Sequence, residues 1–194
     1  MSNQKMKGLA KELKTQFTII GIFIAIFWII EIVNQMFFGD HLDYFGIIPR
    51  SAIGLRGIIL APFLHVDFPH LIANTLPFAV LGWLVMLQET SDFYIVSLCS
   101  ILVSGIGVWL FAQTNSITVG ASGVIFGYFG FLIMRSYFQK NTRSIAISLL
   151  VFFLYGGMIW GVLPSNPHVS WLAHLFGFLG GVLAAKLIAK EKSV

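Results

Sequence analysis

Six long apolar runs, each close to the length needed to cross a bilayer, take up most of this chain and leave little for any other architecture. A helical crossing needs about 20 apolar residues, and runs bounded by breakers lie near residues 17–38, 71–87, 93–112, 119–138, 145–162 and 171–189. Only 10% of the residues are charged against 57% hydrophobic, so no soluble domain can be assembled from what remains. Backbone polar groups in hydrocarbon must be satisfied within each segment, which favours helices. The expected fold is an all-α polytopic membrane protein with six transmembrane helices. Residues 1–16 form a short basic cytoplasmic N-terminus, 17–189 the membrane domain and 190–194 a cytoplasmic tail. The first run is too long for a signal-peptide core and no small-residue cleavage site closes it, so it reads as an uncleaved span.

The net charge of +4 does not point to nucleic acid, because the basic residues sit at the ends of the apolar runs. Lys5, Lys7, Lys11 and Lys14, the group from Arg135 to Arg143, and the group from Lys186 to Lys192 all face the cytoplasm if both termini are cytoplasmic, leaving Arg50 and Arg56 outside. An integral, multi-pass protein of the cell membrane is expected. The single cysteine, Cys99, lies mid-span and reads as a packing residue. Residues 39–69 are rich in glycine and proline yet apolar, with stretches too short to cross, and are expected to lie partly embedded at the outer interface.

Strongly polar side chains inside spans are costly and therefore informative. They are Glu31, His70, Asn74, Ser122 and His174. Glu31, with Asn34 and Gln35, reads as a structural hydrogen-bonding face. Each of the others taken alone has an equally plain packing role, so the case rests on their conjunction. At 1.5 Å per residue, Ser122 lies about 20 Å from the inner boundary marked by Arg135, hence about 10 Å below the outer face of a 30 Å core. The same arithmetic puts His174 about 12 Å and Asn74 about 8 Å below that face. His70 lies one turn nearer the surface on Asn74's side of the helix.

Glycines make lateral contact plausible. Gly123 and Gly127 in the fourth run, and Gly177 and Gly181 in the sixth, are four apart, a spacing that lets helix backbones approach closely. Helices packed on these faces would bring Ser122 to His174. Peptide hydrolysis needs a serine deprotonated during attack, a base within about 3 Å and donors aimed at the oxyanion. His174 is the candidate base. Ser122 opens its helix, so its N–H lacks an intrahelical carbonyl and can bind an anion. His70 and Asn74 could complete the hole. With no carboxylate at this depth in another span, a dyad is expected, with neither metal nor cofactor. Residues 113–118, with His65, His70 and Asn74, could line a water-filled cavity, with residues 165–169 as its cap. Phe152, Phe153 and Trp160 make the fifth run bulky, as either a lateral gate or a lipid-facing surface would.

In these motifs the chain resembles the rhomboid intramembrane serine proteases over nearly its whole length. The resemblance is carried by HLIAN from His70 to Asn74, GASG at Gly120 to Gly123 and AHLFGFLGG around His174, in that order on the second, fourth and sixth runs. It implies a rhomboid-like bundle, catalysis by Ser122 and His174 with His70 and Asn74 at the oxyanion, and single-pass membrane proteins, cut in or near their span, as substrates. It also implies that His65 and Arg56 support the embedded loop and that Phe126, at i+4 from Ser122, stacks on His174. The chain departs from the resemblance in having Phe126 where tyrosine is frequent and Leu55 where tryptophan precedes the loop arginine.

Other chemistries lack their residues. No HExxH occurs for a zinc protease, and no span has a central aspartate for an aspartyl one. A rhomboid-like protein that holds membrane clients without cleaving them is set against by the intact Ser122 and His174. A small-solute transporter would place its polar groups at mid-membrane within inverted repeats, and no repeat is apparent.

Overall fold

A computed structural model describes residues 3–164 and 170–191. Its frame is six long helices: α1 (Asn3–Val33), α2 (Phe68–Met86), α3 (Asp92–Phe111), α4 (Ser122–Gln139), α5 (Thr142–Tyr155) and α6 (Trp171–Glu191). Each coincides with one of the expected runs, and the differences at their ends have local causes. α1 begins upstream of the apolar run and passes through residue 17 without a break, then closes in a π-helical turn, Asn34–Phe38, stopped by Gly39 in the left-handed conformation. α2 starts three residues earlier than its apolar run because Asp67 caps it, accepting from the His70 N–H at 2.7 Å, with Pro69 in its first turn. The fifth run is a single apolar stretch, yet α5 stops at Tyr155 and the chain continues to Val162 as a 3₁₀ segment, Gly156–Val162, that opens on two glycines.

Among the described residues, five segments are long and apolar enough to cross a membrane: Gln4–Phe38, Phe68–Met86, Asp92–Phe111, Thr142–Val162 and Trp171–Ala189. α4 is the exception among the long helices, and its position explains why. It forms the centre of the bundle, with every residue from Gly123 to Leu132 buried, so its surroundings are other helices rather than lipid. Its sequence answers to helix packing, not to hydrocarbon. Small residues carry that packing: a Cβ on Gly177 would collide with the Gly123 carbonyl oxygen, and one on Gly181 with that of Gly127. On the α3 side, the Ser104 hydroxyl donates to the Ala173 carbonyl at 2.9 Å, and Ser100 fills the space beside Gly127. α6 is thus clasped between α4 and α3.

Large apolar side chains fill the remainder of the core, with Phe27, Phe78, Phe93, Tyr128 and Phe131 almost fully buried. Phe78 meets Phe27 edge-on with ring centroids 5.0 Å apart. By contrast α5 is bound mainly along α4, and Phe152, Phe153 and Trp160 point outward. Arg135 does not lie free at a headgroup boundary as its place in a basic group suggests. It is buried and pairs with Asp92 of α3 at 2.7 Å, because a guanidinium on the central helix has protein rather than water around it.

The segment between α1 and α2 is a chain of short turns, His41–Phe45, Ile53–Arg56, Gly57–Leu60 and Ala61–Phe63. It is tied to the residues before α4 by a two-way backbone bridge between Ile47 and Thr118. Gly46, Gly54 and Gly57 permit contacts that a Cβ would block. Ile53, Leu55, Ile59 and Leu60 are exposed, an apolar surface in keeping with the expected embedding. Arg56 holds the turn together by donating to the Tyr44 carbonyl at 3.1 Å, with its guanidinium 4.2 Å from the centre of the Phe45 ring. The hydrogen-bonding face on α1 works as read: Gln35 donates to Glu31, and Asn34 both donates to Asp43 and accepts from the Leu42 N–H. Burial, with Asp40 adding to it, raises the Asp43 pKa to about 6 against the opposing hydrogen bond from Asn34.

Candidate active site

α2, α4 and α6 present their first turns at one end of the bundle, where a cavity of about 1280 Å³ opens. His70, Asn74, Ser122, Phe126 and His174 all line it, so the residues that the sequence places at one depth also share one cavity. Ser122 is the first residue of α4, following Ala121 at the N-cap, so its N–H and that of Gly123 have no intrahelical acceptor. The turn before it requires glycine: Gly120 has φ of 116°, a conformation that side chains rarely adopt.

Gly120 matters for a second reason. A Cβ there would sit 2.7 Å from Cε1 and 2.9 Å from Nε2 of His70, so the imidazole of α2 leans directly on the backbone leading into Ser122. Asn74, one turn along, is buried and donates one amide hydrogen to the His70 carbonyl at 3.0 Å, while its second N–H has no partner among the described residues. The N-terminus of α4, His70 and Asn74 therefore face the same cavity as Ser122.

His174 is held on two sides. Its ring is stacked on Phe126 with centroids 3.9 Å apart and planes 7° from parallel, the contact that the resemblance implies. Its Nδ1–H donates to the Gly161 carbonyl oxygen at 2.8 Å. A carbonyl can only accept, so the proton is on Nδ1 and the lone pair of the neutral ring is on Nε2. A base needs that tautomer, and here a backbone carbonyl sets it where a carboxylate often would. Gly161 must also be small, since a Cβ would come within 2.6 Å of the Phe126 ring.

The expected water path is only partly as read. Gln113, Ser116 and Thr118 line the cavity, but His65 does not. It is completely buried, packed against Phe27 and edge-on to His70 at 5.3 Å, and neither ring nitrogen has a partner among the described residues. It follows the turn Ala61–Phe63 and lies inside the protein, off the cavity wall. Burial, reinforced by His70, pushes its pKa down to about 3, so His65 stays neutral. The cap expected at residues 165–169 lies outside the described residues.

Some contributors escaped the reading of the sequence. Ser100 and Ser104 share the four-residue spacing of the glycines they pack against, a signal that was available. Gly161 acts through its carbonyl, which no side-chain pattern records. Asp67 reads as a loop residue until the start of α2 is fixed.

Related proteins match most of the chain. The family model described as "Rhomboid domain" matches residues 52–191. An uncharacterized protein of Mycobacterium tuberculosis is 38% identical over 180 residues, covering 89% of this chain and 75% of the relative. A Bacillus subtilis protein, YdcA, provisionally described as a rhomboid protease, is 30% identical over 142 residues, covering 70% of this chain and 68% of its own. Rhomboid-like protein 11 of the Arabidopsis thaliana chloroplast is 28% identical over 193 residues, covering 87% and 67%.

Proposed function

The chain belongs to the rhomboid family, and from that premise we propose that it is an intramembrane serine endopeptidase acting on single-pass membrane proteins in or near their transmembrane segment. Ser122 attacks the scissile carbonyl, and Nε2 of His174 takes its proton and returns it to the leaving amine. The carbonyl oxygen, as it becomes an anion, receives hydrogen bonds from the N-terminus of α4, from His70 and from Asn74. Water reaches the acyl-enzyme through the cavity lined by Gln113, Ser116 and Thr118. Both termini lie in the cytoplasm and the cavity opens on the opposite side of the cell membrane.

The observation that carries this reading is the state of His174. Stacking on Phe126 and donation from Nδ1 to Gly161 leave Nε2 without a partner among the described residues, on a cavity that also holds Ser122. In liposomes containing a single-pass substrate, the wild type is expected to cleave, while Ser122→Ala and His174→Ala lose cleavage. Undiminished cleavage by Ser122→Ala would refute the proposal, whereas a wild type that retains the substrate without cleaving it would favour a client-binding role without hydrolysis.

A further inference from the structure

The cavity wall is mostly apolar, with Phe111, Ile117, Pro77, Met158, Trp171 and Leu172 among its residues. Among the described residues that line it, Asp67 is the only carboxylate, and neither lysine nor arginine is present. Glu31, Asp40 and Asp43 belong to the neighbouring α1 and loop and do not reach the wall. Asp67 is exposed, and its Oδ1 accepts from the His70 N–H at 2.7 Å. That bond fixes the carboxyl group at the N-cap of α2, and no donor among the described residues engages its second oxygen. A carboxylate is not needed for the cap itself, since asparagine or serine caps as well. A fixed, half-used negative charge on the wall of a substrate cavity is a recognition element for a cation.

Its position limits where that cation can be. Asp67 precedes His70 by three residues, so it lies about 4.5 Å farther along the α2 axis, toward the open end of the cavity. An extended peptide advances about 3.3 Å per residue, and a lysine or arginine side chain adds several ångströms of reach. Resting on the protease reading above, we propose that Asp67 determines specificity by favouring substrates with a lysine or arginine within about three residues of the scissile bond. The favoured side is the one that leads to the open end of the cavity. Acidic residues at the same positions are disfavoured by the same charge. An ion pair at an exposed rim is a modest interaction, so a lysine gains about two- to threefold and a glutamate loses about the same.

The test uses the full-length protein in liposomes and one single-pass substrate made with Lys, Gln or Glu in turn at each of three positions on either side of the cut. kcat/KM is read by mass spectrometry of the products. The wild type is expected to prefer Lys over Glu by about four- to ninefold at one or more of these positions, with the ratio shrinking as salt is raised. Asp67→Asn, which keeps the cap, is expected to bring that ratio to within about twofold of unity. Asp67→Ser, also a capping residue, serves as the second variant should Asp67→Asn fail to fold. A Lys-over-Glu ratio as large in both variants as in the wild type, or no preference in the wild type at any position, overturns the proposal. Cleavage of the Gln substrate that persists in Ser122→Ala would instead refute the protease reading, so the two failures are distinguishable.

Discussion

Adding one methyl group to Gly181 should disable the site without altering any catalytic atom. A Cβ at that position would overlap the Gly127 carbonyl oxygen and would lie 2.7 Å from both the Gly127 carbonyl carbon and the Phe131 nitrogen. Ordinary non-bonded contact is about 3.5 Å, so relief of the 2.7 Å contacts alone needs α4 and α6 to part by about 0.8 Å, and the tighter overlap with the Gly127 oxygen needs more. All of these neighbours are backbone, and no side-chain rotation can relieve the overlap. Overpacking of this kind costs about 1–3 kcal/mol of stability. It also moves His174 relative to Ser122, and a displacement near 1 Å can cost about a hundredfold in rate. We therefore expect Gly181→Ala, and likewise Gly177→Ala, to lower kcat by about 10- to 100-fold in liposomes, with a measurable drop in Tm. Gly21→Ala on α1, where a Cβ would meet nothing within 4 Å, is the control and should match the wild type. If Gly177→Ala and Gly181→Ala both cleave within about twofold of the wild type, close glycine contact is not what assembles the site.

Asn74→Ala should reduce kcat by about a hundredfold with little change in KM, as expected for loss of one donor worth about 3 kcal/mol in the transition state; single-turnover cleavage rates would check this. Phe126→Ala should slow cleavage up to about tenfold by freeing the imidazole, a stacked aromatic contact being worth about 0.5–1.5 kcal/mol. Phe126→Tyr should retain most of the rate, and steady-state kinetics of the pair would separate stacking from chemistry. Asp43 has a raised pKa of about 6 against an ordinary 3.8, so folding favours its protonated form. The resulting stabilisation is present below about pH 3.8 and is lost as pH rises toward 6. Asp43→Asn, which can still accept from Asn34, should thus raise Tm relative to the wild type above pH 6, with the difference fading near pH 4 in thermal melts.

How much the sequence reveals depends on what each residue faces. Helices that meet lipid must be apolar along their length, so five of them stand out by composition. α4 meets protein and can afford three glycines and Arg135, and its place in the fold is read instead from the spacing of those glycines. Depth arithmetic brought Ser122, His174 and Asn74 to one level because helices advance at a constant rise. It could not foresee that His65, five residues before His70, turns inward, since that direction is decided by a chain of short loop turns. The break after Tyr155 was equally hidden, because an apolar run of the right length carries no mark of where a helix gives way to a 3₁₀ segment. Gly161 contributes a carbonyl, and every residue has one, so only the three-dimensional structure can select it.

The most direct measurement on the central claim is covalent labelling of the purified protein by a serine-directed fluorophosphonate, followed by intact mass and peptide mapping. The account predicts a single adduct on Ser122 in the wild type, strong reduction in His174→Ala, and none in Ser122→Ala. An adduct that maps to another residue, or labelling that persists at full rate in Ser122→Ala, would contradict it.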